Sequence, residues 1–218
     1  MVSTHSDSDH IEGLLAVGRN FDVGELWITT AAEQNGDLME LLRMAKRRGW
    51  KVKRLSRGMK LRWRGTTWNC LNPPQPPYKG KNAANANSLV ALVTAGDRRL
   101  LLTGDAGAGQ LRDIALINGI GLRCDVLKVP HHGSDDALCE ELLDASRPSY
   151  AVISAGLRNV HGFPRPDVLA ELECREITVL RTDLHGAVSL TLNENMVSVR
   201  TQKHPAEGNR KAAAESHR

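Results

Sequence analysis

The 218-residue chain is poor in aromatic residues, with two Phe, two Tyr and four Trp. Its core must therefore be largely aliphatic. No apolar run approaches the roughly 18 residues that a membrane-crossing helix needs, and stretches such as Ser88 to Ala95 are far shorter. The opening MVSTHSDSDH has neither a basic head nor an apolar segment, which argues against a secretory signal. The cysteines Cys70, Cys124, Cys139 and Cys174 form no CxxC pair. That excludes a cysteine-rich zinc ribbon and argues against a disulfide scaffold, leaving buried free thiols in a reducing compartment. As written, the chain reads as a soluble, cytoplasmic domain without membrane contact of its own.

One stretch lacks acidic residues altogether. From Arg43 to Arg64 there are eleven Lys or Arg and no Asp or Glu, although the whole chain is only +4. The remainder, tail aside, is net acidic, so the basic charge is concentrated in one strip. Residues 201–218 lack apolar periodicity and read as a disordered basic tail behind a domain of residues 1–200.

Periodicity supplies the elements. Leu38, Leu41, Leu42 and Ala45 share one helical face, with Asp37 expected as cap and Gly49 as stop. Helices are also expected at 11–18, 109–117, 136–145 and 166–174. Strands are expected at Glu25–Thr29, Lys51–Leu55, on both sides of Gly65, and at 125–129, 150–154 and 177–181. Hairpins should join Leu89–Val93 to Leu100–Thr103 and Val188–Leu192 to Val197–Arg200. The run Asn72-Pro-Pro-Gln-Pro-Pro-Tyr78 can only be a loop and is expected to be mobile and on the surface. The pattern is that of a layered α/β domain with mixed sheets.

The chemistry-bearing residues gather at element ends. His5-Ser-Asp7-Ser-Asp9-His10 places four potential metal ligands in six positions. In an extended segment His5, Asp7 and Asp9 project to one side, while His10 opens the next helix; Asp9 alone could equally be that helix's cap. Leu102-Thr-Gly-Asp105 and Val129-Pro-His-His-Gly-Ser134 both follow apolar strands, where a rigid scaffold presents loops.

Together with Asn87-Ser-Leu-Val90, Pro148–Ser154 and Thr178–Val188, these motifs resemble the metallo-β-lactamase superfamily. The closer resemblance is to the C-terminal hydrolase domain of the ComEC family of DNA-internalisation competence proteins. It covers residues 1 to about 192. It implies an αββα sandwich carrying one or two divalent ions, zinc or manganese. His5 and Asp7 would hold the first and Asp9 and His10 the second, with Asp105 between them. One of His131 and His132 completes the second site; His132 is preferred, with His131 beside it to hold the substrate phosphate or move a proton. A carboxylate shared by two ions holds them ~3.5–4 Å apart and lets water ionise near neutral pH. Asp7, where relatives carry histidine, makes the site richer in oxygen and favours manganese or magnesium over zinc.

The resemblance implies a metal-dependent phosphodiesterase or nuclease acting on DNA, single-stranded by preference, during competence. The other readings are a non-catalytic remnant that binds DNA, and a small-molecule hydrolase of lactonase or thioesterase type. Relatives carry strands ahead of the first motif. Here Met1 lies four residues before His5, so the sandwich is expected without its opening strands and with a bare sheet edge; a full-length relative would be membrane-anchored. Ser134, Asn87 and His161 are expected to support the site, His161 lying in a loop where relatives carry a histidine at the position of Phe163. Alternation along Met59–Arg64 would put Lys60, Arg62 and Arg64 on one face; with Lys51, Lys53 and Arg54 they form the candidate DNA-phosphate surface, near Trp50 and Trp68 for stacking on bases.

Overall fold

Along the strand Glu25–Thr29 (β1), alternation sends Leu26 and Ile28 to one side and Trp27 to the other, and all are buried. That two-sided burial sets the architecture of the computed structural model, which describes residues 1–31, 35–193 and 196–203. Leu26 and Ile28 pack under helices α1 (Ser8–Asn20) and α2 (Gly36–Arg48), against Ile11, Leu15, Leu38 and Leu41. Trp27 instead joins Leu55, Cys70 and Leu89 between two sheets.

The first sheet pairs β1 in parallel with β2 (Lys51–Leu55). The second has seven strands: β3 (Lys60–Trp63), β4 (Thr66–Asn72), β5 (Val90–Ala95), β6 (Arg98–Leu102), β7 (Val126–Lys128), β8 (Tyr150–Ile153) and β9 (Thr178–Arg181), in that spatial order, with a one-turn helix α3 (Ala83–Ala86) between β4 and β5. Its first three pairings are antiparallel and its last three parallel. Parallel neighbours need crossovers, here α4 (Ala108–Asn118), α5 (Glu140–Ser146) and α6 (Pro166–Cys174). These three helices bury Leu111, Ile114, Leu142 and Leu172 against Leu101, Leu127 and Ile153 of the sheet. Helices, sheet, sheet and helices thus stack in four layers. A hairpin of β10 (Val188–Leu192) and β11 (Val197–Thr201) follows.

Several local expectations need correction. Asn35, not Asp37, caps α2, its side chain accepting from Leu38 N at 2.8 Å. Helix α1 begins at Ser8, because His10 N and Ile11 N both donate to Asp7 O. Asp9 and His10 therefore sit in its first turn, and the extended alternation stops at Asp7. Helix α5 starts four residues late: Asp136 O accepts from Ala108 N, and its carboxylate is engaged nearby. The proline-rich loop is anchored, since buried Asn72 donates to the carbonyls of Ala86 and Ser88. Cys174 is exposed, unlike the other three cysteines. The bare edge expected beside β1 is covered by Met1–Ser3, through Trp27 N to Met1 O and Ser3 N to Trp27 O, both 2.9 Å. Apart from Thr201 to Lys203, the expected tail lies outside the described residues.

Candidate metal centre

The motif residues converge where the parallel segments end. His5 follows Met1–Ser3, Asp105 follows β6, and the 3₁₀ turn Pro130–Gly133 follows β7. Asp105 is presented by Gly104, whose φ of +54° and close approach leave no room for a side chain: a Cβ would sit 2.9 Å from Ser88 Cβ. Ser88 Oγ in turn accepts from Asp105 N at 3.1 Å.

Asp105 Oδ2 lies 3.3 Å from Nε2 of both His10 and His132. The two Nε2 atoms are 3.2 Å apart, and Asp9 Oδ2 is 3.6 and 3.7 Å from them. One candidate ligand group is therefore Asp9, His10 and His132; another is His5, His10 and Asp105. Within each group the ligand atoms lie within 4.8 Å of one another. Asp105 Oδ1 is buried without a hydrogen-bond partner. That oxygen faces the Lys128 ammonium at 3.8 Å, whereas Oδ2, with Asp9 Oδ2 and the His10 and His132 nitrogens, forms a mixed carboxylate–imidazole donor set whose chemistry fits a divalent ion.

The electrostatics agree. Burial alone would raise the Asp105 carboxyl, but hydrogen bonds from His10 and His132 and the Lys128 charge outweigh it and hold it well below the usual range. Lys128 Nζ stands 3.8 Å from Asp105 Oδ1 and donates to Gly104 O at 3.2 Å; burial lowers its pKa against the pull of Asp105. Buried His5 is pushed down to about 4 by desolvation and then by His10, which its ring approaches to 4.2 Å between centroids. His132 is raised, chiefly by its hydrogen bond to Asp105.

Asp7 lies outside both groups, its Oδ2 3.7 Å from His5 Nε2. His131 is also outside them. Its Nδ1 is 3.1 Å from Asp136 Oδ1, which accepts from Ser134 Oγ at 2.5 Å. Positive φ at both His131 (+44°) and His132 (+54°) aims the adjacent rings at different partners. Asn87 serves the proline-rich loop, bonding Tyr78 N and O and Ala83 O. His161 lines a pocket of about 670 Å³ together with Asp7, Asp9, Asp105, His131 and His132.

The basic strip is not brought to this pocket. Lys51, Lys53 and Arg54 lie on β2, Lys60 and Arg62 on β3, and Arg64 in the following turn. Lys53 Nζ pairs with Glu25 at 2.9 Å, and Arg64 lies over the Trp63 ring. Arg64, Trp63 and Trp68 line a separate groove of about 660 Å³, while Trp50 is buried among α1 and α2. Sequence reasoning passed over Lys128 and Asp136. A lone cation in the strand VLKV and an acid two residues beyond His-His-Gly-Ser were the available signals.

No family model matches the sequence. Among solved structures, the fold is similar to the metallo-β-lactamase fold protein YhfI of Bacillus subtilis. The TM-score is 0.51 at 12% identity, over 91% of this chain and 76% of that one. A variant of the CmlA β-hydroxylase gives 0.53 at 16% identity, over 83% and 42%. Four stacked layers with a His/Asp cluster at the strand ends define a metallo-β-lactamase fold protein.

Within that class, the chain is a homologue of the ComEC family of competence proteins. It is 30% identical to ComE operon protein 3 of Bacillus subtilis over 188 residues, covering 86% of this chain and 24% of the relative. Recombination protein 2 of Haemophilus influenzae is 30% identical over 91% of this chain and 23% of its own length. Competence protein ComA of Neisseria gonorrhoeae matches at 30% over 90% and 26%. The chain thus spans about a quarter of the length of the curated relatives it matches. Among the described residues, no helix is long and apolar enough to cross a membrane.

Proposed function

We propose that the chain is a metal-dependent hydrolase of phosphodiester bonds that cuts DNA, preferably single-stranded, during competence. One observation carries the reading: Asp9, Asp105 and His132, with His10 in contact with all three, converge at a pocket of about 670 Å³, a volume that suits a nucleotide.

Asp9, His10 and His132 would hold one divalent ion, and His5 and Asp105 the position next to it. His5 with Asp7 remains the first-ion pair of the sequence reading. A bound ion would polarise a phosphoryl oxygen and lower the pKa of water. The remaining tasks belong to side chains. Ser154 O accepts from His132 Nδ1, which leaves Nε2 as the ligating nitrogen. Asp136 accepts from His131 Nδ1 and fixes that ring, so that its Nε2 is the atom that takes or returns a proton at the phosphate. Lys128 balances Asp105 on the side away from the histidines. The basic strip would guide the strand by its charge alone.

The test is cleavage of single-stranded DNA with added manganese by the wild type and Asp105→Ala. The wild type should cut and the variant should not. Equal cleavage by both would remove the assigned site. Hydrolysis of a lactone or thioester but not DNA would favour the small-molecule reading.

A further inference from the structure

The pocket lined by the candidate ligands Asp9, Asp105 and His132 is also lined by Asn159, His161 and Phe163. His161 lies nearly parallel to Phe163, with ring centroids 5.5 Å apart and an interplanar angle of 20°. Phe163 meets His131 edge-on at 6.0 Å, and the Arg165 guanidinium lies 5.4 Å from its centroid. The inner ring is half-buried, while His161 itself is exposed.

This pair is held in place. Asn159 closes its own loop, donating to Gly156 O and Phe163 O at 3.0 and 2.6 Å and accepting from Phe163 N at 2.9 Å. The loop then seats on the histidine turn: Arg165 N donates to Gly133 O at 2.8 Å, and Gly133 packs so tightly on Pro164 that a Cβ would come within 2.6 Å. A flat ring, backed by a second ring and rigidly linked to the turn bearing His131 and His132, has the form of a stacking surface. His161 belongs to neither ligand group, which frees it for that task.

We propose that His161, laid on Phe163, is a stacking platform for an unpaired nucleobase beside the phosphate handled at the metal cluster. The identity of that phosphate rests on the phosphodiesterase reading above. Bases in a duplex already have stacking partners on both faces, so the platform selects single strands or frayed ends. It tolerates sequence, because every base has a π-face.

The test compares a single-stranded oligonucleotide with an abasic counterpart of equal length and charge, using the full chain. Fluorescence anisotropy gives the affinity, and manganese-supported cleavage gives KM and kcat. The wild type should bind the base-bearing strand roughly tenfold more tightly. His161→Ala should bring the two strands to parity, raising KM while leaving kcat within about twofold, and His161→Phe should restore the preference. Equal binding of both strands by the wild type would overturn the platform. So would His161→Phe behaving like His161→Ala, which would point to imidazole chemistry. If the wild type cuts neither strand but keeps the affinity difference, the proposed reaction fails and the platform stands.

Discussion

His132 donates from Nδ1 to the Ser154 carbonyl at 2.7 Å, and that bond decides what its other nitrogen can do. A carbonyl only accepts, so the proton sits on Nδ1 and Nε2 faces Asp105 and His10 as a lone pair or as a second N–H. Metal and proton compete for that one atom. Titrating the metal-stripped chain with manganese or zinc should raise Tm and release protons. At a metal concentration 100 times Kd the stabilisation should be about 2.7 kcal/mol. His132→Ala should abolish most of the shift; an unchanged shift would exclude this residue as a ligand.

His5 gives the metal-free chain a pH dependence. Its folded pKa, about 4, lies below the unfolded 6.5, so the unfolded chain binds the extra proton first. Stability from His5 is complete above pH 6.5 and falls as the pH drops towards 4, by up to on the order of 3 kcal/mol. His132, raised, acts in the opposite sense and loses its contribution as pH rises. Comparing the chain with His5→Asn isolates the first effect. The difference in unfolding free energy, wild type minus variant, should shrink between pH 7 and 4; a pH-independent difference would contradict the burial of a neutral His5.

Gly133→Ala should be costly. The backbone there has φ of +83°, and the added methyl would meet Pro164. A loss of about 2 kcal/mol or more is expected in chemical denaturation. Because this glycine joins the histidine turn to the Asn159 loop, metal affinity should also fall. A stable variant with full metal affinity would show that the two loops are not mechanically linked.

Affinity for single-stranded DNA should decline steeply with salt. Replacing exposed Arg62, which has no ion pair among the described residues, with Gln should flatten the plot of log affinity against log salt by roughly one unit. Lys53→Gln should change it less, since Lys53 is already paired with Glu25. Binding indifferent to salt would remove the strip from the DNA path.

Much of the fold could be read along the chain because local rules decide it. Helix α6 is bounded as expected, from Pro166 at its first turn to Cys174, and Gly49 ends α2 with φ of +71°. Burial of Leu26 and Ile28 opposite Trp27 follows from strand parity. Longer-range effects were not legible. Asp136 is withheld from α5 by its carbonyl, which accepts from Ala108 N of a different helix, and Asn72 is drawn inward by the carbonyls of Ala86 and Ser88. At the site, the spacing of His5 to His10 and the pairing of His131 with His132 marked the right neighbourhood. Lys128 was hidden because a single cation in an apolar strand acquires meaning only when Asp105 is found beside it. The basic strip was legible as charge but not as position, since adjacency to the pocket depends on how the sheets stack.

The His10–His132 contact also joins parts of the chain 122 residues apart, one from the α1 side of the sandwich and one from the α5 side. An ion shared between them would rivet the two outer layers through the two sheets. Under pulling or partial denaturation, the layers should then separate in a single step with the ion bound, and peel apart one after the other once a chelator has removed it.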